Sequence, residues 1–176
     1  MAENVPTLDD LLNTLWAHLT PRALLSLATT REDGAATTRM IVLRAVDRDL
    51  RTMTFFTNVA SEKVGQLQRQ PKAELLYWDK PDGLQARLRV TCDLTPANGA
   101  DWSDLSEAQR RDYIAAPAPG QTIPSPEAEI GTPDPRNMLC LTATIHEIDV
   151  LSLRRDQHIR ATYSQQDDFS GRWISP

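Results

Sequence analysis

The sequence predicts a mainly β protein: a closed or nearly closed antiparallel barrel with helices at its periphery. Three observations point there. Short runs of apolar and β-branched residues recur along most of the chain, polar turn clusters separate them, and one run alternates strictly between apolar and polar side chains. Closing such strands into a barrel removes exposed edges. At 176 residues, the chain is expected to form one domain over residues 1–176, without internal repeats.

The elements follow in order. A helix is expected over 7–19, because Leu8, Leu11, Leu12, Leu15, Trp16 and Leu19 recur at helical spacing. Thr7 is a candidate N-cap with Asp10 three residues on, and Thr20-Pro21 ends the run. Residues 23–29 read as a strand, and Arg31-Glu32-Asp33-Gly34 as a turn with a hairpin Asp-Gly pair. Strands over 37–46 and 52–57 flank a second polar turn, Asp47-Arg48-Asp49.

A short helix is expected over 61–70, with Val64 and Leu67 on one face and Pro71 stopping it. The next strand covers 72–78, and Lys80-Pro81-Asp82-Gly83 makes a third turn. From 84 to 94, Leu84, Ala86, Leu88, Val90, Cys92 and Leu94 face one way. Gln85, Arg87, Arg89, Thr91 and Asp93 face the other. A weaker helical pattern covers 102–115, a proline-rich loop of about twenty residues follows over 116–135, and strands over 138–151, 159–164 and 173–174 close the chain.

Composition excludes several classes. Hydrophobic residues at 40% and charged residues at 24% are ordinary for a globular protein. A net charge of −5 lacks the cationic excess of a general nucleic-acid binder. It leaves room for a small phosphate ligand, which needs only two or three focused cations. Two isolated cysteines and three scattered histidines offer no metal spacing. His18 is expected on the polar side of the first helix, facing solvent, and His146 in a structural role. No apolar run reaches the roughly 18 residues needed to span a bilayer. Met1-Ala2-Glu3-Asn4 lacks the start of a signal peptide, so the expectation is a cytoplasmic protein with no membrane partner.

Three neighbouring segments carry chemistry. Arg39-Met40-Ile41-Val42-Leu43-Arg44 is a strand with a cation at each end; Phe55-Phe56-Thr57-Asn58 ends the next strand; Ser61-Glu62-Lys63 opens the short helix. A helix N-terminus supplies free N–H groups and about half a positive charge. Ser61 can cap the helix or donate to a phosphate, while Arg39 and Lys63 can supply full charges. Gln85 lies on the non-core face of its strand, where its amide can donate and accept. Each residue alone has an ordinary use as strand-end charge, cap or surface amide. Their ordered occurrence within fifty residues favours an anion-and-ring site. Lys63 is one of only three lysines against sixteen arginines.

From Arg39 to Val90 the chain resembles the FMN-binding core of the pyridoxamine 5'-phosphate oxidase family. That family carries Arg-x-x-x-Leu-Lys, then Phe-Thr-Asn, Ser-Arg-Lys, Asn-Pro and a Gln; here stand Arg39 to Arg44, Phe56-Thr57-Asn58, Ser61-Glu62-Lys63, Gln70-Pro71 and Gln85. His158, Arg160, Tyr163 and Trp173 extend the likeness to the C-terminus, and Gln121-Thr122 resembles a Gln-Ser pair of the family. The resemblance implies a split β-barrel and a homodimer with FMN at its interface. It implies that Arg39, Lys63 and Ser61 hold the FMN phosphate, that Ile41, Val42 and the Phe56-Thr57 backbone line the ring, and that Met40 is a further cofactor-binding residue. Arg44, Gln85, Gln121 and Arg160 complete the implied cofactor contacts.

The departures concern substrate. Arg44 replaces the lysine that helps hold substrate phosphate in the oxidases, Glu62 replaces the Arg of Ser-Arg-Lys, and Val150 a tryptophan. Asp156-Gln157-His158 stands where they carry Arg-Leu-His, so an anion replaces a cation. Arg110, Arg111 and Tyr113 match the oxidases' substrate-phosphate cluster poorly in spacing. The leading expectation is a homodimeric FMN oxidoreductase acting on a small molecule other than pyridoxamine phosphate. Two alternatives stay open: an FMN-binding carrier or sensor, and a genuine oxidase with a rebuilt substrate site.

Overall fold

The computed structural model describes residues 6–128, 131–153 and 157–176. Helix α1 (Leu8–His18) starts at Thr7, whose hydroxyl accepts from Asp10 N–H while the Asp10 carboxylate accepts from Thr7 N–H, the reciprocal cap its spacing predicts. Its stripe of Leu11, Leu12, Leu15 and Trp16 is buried against the barrel. The Tyr163 hydroxyl donates to Leu8 C=O at 2.7 Å and ties the helix to the C-terminal strands.

The strands are β1 (Leu24–Thr30), β2 (Ala36–Asp47), β3 (Thr52–Asn58), β4 (Lys72–Asp79), β5 (Leu84–Pro96), β6 (Met138–Ser152), β7 (Ile159–Ser164) and β8 (Arg172–Ile174). All pair antiparallel in the order β3-β2-β1-β4-β5-β6-β7-β8, and a β3–β6 ladder closes the first six into a barrel. The fold is therefore the mainly β, split-barrel class expected. The long β6 pairs with β5, β3 and β7, so it belongs to the barrel and to the C-terminal flap together. The alternation of β5 is realised: Leu84, Ala86, Leu88, Val90 and Cys92 are buried, Arg89 and Asp93 exposed.

Helix α2 (Glu62–Arg69) follows β3 and buries Val64, Gln66 and Leu67. The helix expected over 102–115 is corrected. Two short pieces stand there instead, α3 (Gly99–Ser103) and α4 (Glu107–Arg110). Asn98 with Asp101, and Ser106 with Gln109, form separate capping boxes, so each local cap begins its own turn. Leu105 is buried between them with Tyr113 and Met138. The following loop has no regular strand or helix among its described residues, apart from an isolated bridge of Ile114 to Pro133.

Candidate functional site

A cleft of about 420 Å³ opens where β2, β3 and α2 meet the segment after α4. The β2–β3 ladder ends at Leu43 opposite Phe55, beside a bulge between Leu43 and Ala45. Beyond that last pair, Met40, Ile41 and Val42 of β2 and Phe56, Thr57 and Asn58 of β3 line the cleft. Ser61 and Lys63 close one end, and Arg44 with Arg111 to Ile114, Pro117 and Pro119 the other side. Eight of the twelve expected site residues thus share one cavity: Met40, Ile41, Val42, Arg44, Phe56, Thr57, Ser61 and Lys63.

The cationic corner is built from three elements. Lys63 Nζ donates to Thr57 Oγ1 at 3.1 Å. Burial, then the nearby Arg39 charge, holds the Lys63 ammonium below the usual lysine pKa. Burial also lowers Arg39, against the opposing pull of Glu62. The Arg39 guanidinium donates to Leu27 C=O at 3.3 Å, to Thr37 C=O at 3.4 Å, to Thr29 Oγ1, and to Gln66 Oε1 at 3.0 Å. Arg39 is not among the residues lining the cleft; its guanidinium is held by acceptors of β1, β2 and α2 instead. Ser61 has the extended backbone of an N-cap but makes no side-chain cap bond, so its hydroxyl is left for the cleft.

At the far end the Arg44 guanidinium lies 5.5 Å from the centre of the Phe56 ring, and its Nε is buried without a hydrogen-bond partner among the described residues. Burial raises the Tyr113 phenol, and Arg44 partly offsets that. Asn58 fastens this wall. Its Nδ2 donates to Asp112 C=O at 3.0 Å and Ile114 C=O at 2.9 Å, while Oδ1 accepts from Ala60 N–H.

Three expected residues lie elsewhere in the chain. Gln121 is exposed, and its Oε1 accepts from Ala118 N–H at 3.0 Å. Gln85 sits on the outer sheet face opposite Trp78 and Leu151. Arg160 makes a two-point pair with Asp149, at 2.9 and 2.7 Å, beside an Arg87–Asp149 ion pair. Burial works against the ionised Asp149, but hydrogen bonds from Arg160 and Arg87 hold its carboxyl below the usual range.

The histidines divide. Both ring nitrogens of His146 are engaged, by Gln165 at 2.9 Å and Thr91 at 2.8 Å, the structural role expected. His18 is not simply a solvent-facing residue: Nδ1 meets Thr14 C=O and Nε2 meets Asp82 Oδ2, each at 2.8 Å. The end of a helix carries the ring to the β4–β5 turn, which helical periodicity alone cannot show. Asp156, read as the anion opposing a phosphorylated substrate, lies outside the described residues.

Sequence reasoning missed Thr29, Gln66 and the prolines of the wall. The usable signal was Gln66, an amide three residues after Lys63 on a helix side otherwise buried by Val64 and Leu67.

Comparisons with known proteins bear on the family and the fold. The family profile described as pyridoxamine 5'-phosphate oxidase matches residues 15–144. A pyridoxine/pyridoxamine 5'-phosphate oxidase of Caulobacter vibrioides is 36% identical over 107 residues, covering 61% of this chain and 46% of that one. One of Maricaulis maris is 36% identical over 100 residues, covering 57% and 44%. The chain thus spans about half the length of these curated relatives. Among solved structures, an FMN-binding protein related to pyridoxamine 5'-phosphate oxidase from Nostoc punctiforme aligns with TM-score 0.77 and 26% identity, over 99% of this chain and 100% of that one. PhzG from Burkholderia lata, solved with tetrahydrophenazine-1-carboxylic acid, shares the fold at TM-score 0.76 and 19% identity, over 100% and 99%. With the profile covering well over half of its length and the barrel and cleft in place, the chain belongs to the pyridoxamine 5'-phosphate oxidase family.

Proposed function

We propose that this protein binds FMN between two copies of itself and serves as an oxidoreductase for a small molecule other than pyridoxamine phosphate. One observation carries the cofactor reading. Lys63 and Arg39 are partly buried cations, Lys63 lowered by burial and by the Arg39 charge and Arg39 by burial, next to a Ser61 hydroxyl that makes no cap bond at the start of α2. Two like charges held this way are stabilised by an anion of two or more oxygens, as a ribityl phosphate provides. The rest of the cleft suits a flat ring. Ile41, Val42, Phe56 and Thr57 give it apolar walls, and the orphaned Arg44 Nε–H offers a donor inside it.

The second copy is supported by the outer sheet face. Register places Met40, Ser26, Leu76, Arg87 and Asp149 in one row across β2, β1, β4, β5 and β6. Gln85, Leu151 and Arg160 lie in the row beside it. Met40 is 59% exposed, Leu24 55% and Trp78 47%, a run of large apolar side chains that a monomer leaves wet. Docking that face on a second copy would carry Gln85 and Arg160 towards the cofactor, the roles the family resemblance implies.

The bound flavin supplies the redox step, accepting a hydride and passing electrons on. The chain's own residues do the rest. Lys63, Arg39 and Ser61 anchor the phosphate, and the β2 and β3 walls hold the ring flat and dry. Arg44 and Tyr113 face the space left for substrate. Pro117 and Pro119 border that space, and their apolar rings offer a phosphate no donor.

An absorption spectrum of the purified protein, followed by mass analysis of the released chromophore, tests the reading. Flavin bands and FMN are expected; a colourless protein that ignores added FMN would refute it. Turnover with a panel of amines and nicotinamide donors separates the enzyme from a carrier. Pyridoxal phosphate formation at the rate of a known oxidase would overturn the substrate assignment.

A further inference from the structure

We infer that Gln66 is a positioning residue: it fixes the Arg39 guanidinium and so sets the preference for a phosphorylated over an unphosphorylated flavin. The inference rests on the FMN reading above. Gln66 is 1% exposed, on a helix face otherwise filled by Val64 and Leu67. A buried amide is retained at a cost unless it is bonded. Here its Oε1 accepts twice, from Thr29 Oγ1 at 2.6 Å and from Arg39 at 3.0 Å, and Thr29 in turn accepts from Arg39. The three side chains form a closed triangle spanning β1, β2 and α2.

The triangle has a directional consequence. Arg39 is drawn by two sets of groups: the neutral acceptors Gln66, Thr29, Leu27 C=O and Thr37 C=O, and the charge of Glu62. Glu62 stands four residues before Gln66 on the same helix, one turn away. The Gln66 oxygen holds one guanidinium nitrogen without neutralising it. Arg39 therefore keeps a full charge beside Lys63 instead of closing onto the carboxylate. Gln66 Nε2 is buried without a partner among the described residues, so the amide orientation is set by the two bonds to its oxygen.

The test is flavin affinity in Gln66 variants, read for FMN and for riboflavin, which lacks the phosphate. Gln66→Met keeps length and bulk but removes the acceptor. It is expected to weaken FMN about tenfold while changing riboflavin less than about twofold, as for loss of one charge-assisted bond. In an Arg39→Ala background the same substitution should cost nothing further, since the residue it positions is gone. Gln66→Glu, which keeps an acceptor for Thr29 but neutralises Arg39, should also lower the FMN-to-riboflavin ratio, and carries the test if the Met variant does not fold. An unchanged ratio in the folded variants, or an equal loss with and without Arg39, would overturn the role of Gln66. A wild-type protein that binds riboflavin as tightly as FMN would instead bring down the phosphate corner itself, and this inference with it.

Discussion

Lys63 and Arg39 are held by different means, and the difference can be measured. Among the described residues Lys63 has one hydrogen bond, to Thr57, whereas Arg39 is fixed by four acceptors. Lys63→Ala and Arg39→Ala should each weaken FMN by about 1.5–3 kcal/mol, measured by fluorescence titration. Because the Lys63 pKa is lowered in the free protein, its charge is lost at a lower pH than that of an ordinary lysine. FMN affinity should therefore fall on the alkaline side as pH rises through that lowered value, while riboflavin affinity does not follow it. Cys92 carries the opposite lesson: burial pushes its thiol up to about 12, so it should resist alkylation in the folded protein at pH 8. Lys63 and Ser61 were legible because their chemistry sits in three consecutive residues. Gln66 was not, because its partners Thr29 and Arg39 lie 37 and 27 positions away and only the folded barrel joins them.

Elements fared according to how local their signals are. The α1 cap and the β5 alternation are written within a few residues, and the structure shows both. The region after β5 carries two capping signals close together, and reading its apolar residues as one period hid the break. His18 shows what packing adds. The Thr14 carbonyl, with help from the Asp82 hydrogen bond and the Asp79 charge, raises the imidazole pKa above 6.5 despite partial burial. A group raised in the folded state stabilises it fully below its unfolded pKa of about 6.5 and loses that effect as pH rises through the folded value. The melting-temperature gap between wild type and His18→Gln should be widest at acid pH and close on the alkaline side, with the bond contributing less than about 1 kcal/mol at this partly exposed position. Gly171 guards the other end of the chain. Its φ of +79° and the Tyr163 ring, 2.5 Å from where a Cβ would stand, leave no place for a side chain. Gly171→Ala should destabilise by about 1–3 kcal/mol or more in chemical unfolding.

For the whole molecule, the exposed row on the outer sheet makes assembly and cofactor retention one experiment. Trp78→Glu places a charge in that row without touching the cleft lining. It should shift the protein to a monomer in sedimentation and lower flavin retention, with the folded far-ultraviolet spectrum unchanged. A dimer that persists would move the interface elsewhere. No helix is long and apolar enough to cross a membrane among the described residues. The closure of β3 onto β6 has one further consequence. With the six barrel strands paired all round, the free end of the sheet order falls on β8, a strand of three residues that carries Arg172. So short and charged a selvage gives a stranger's backbone almost nothing to stitch onto, and crowded solutions should stay free of ordered fibres.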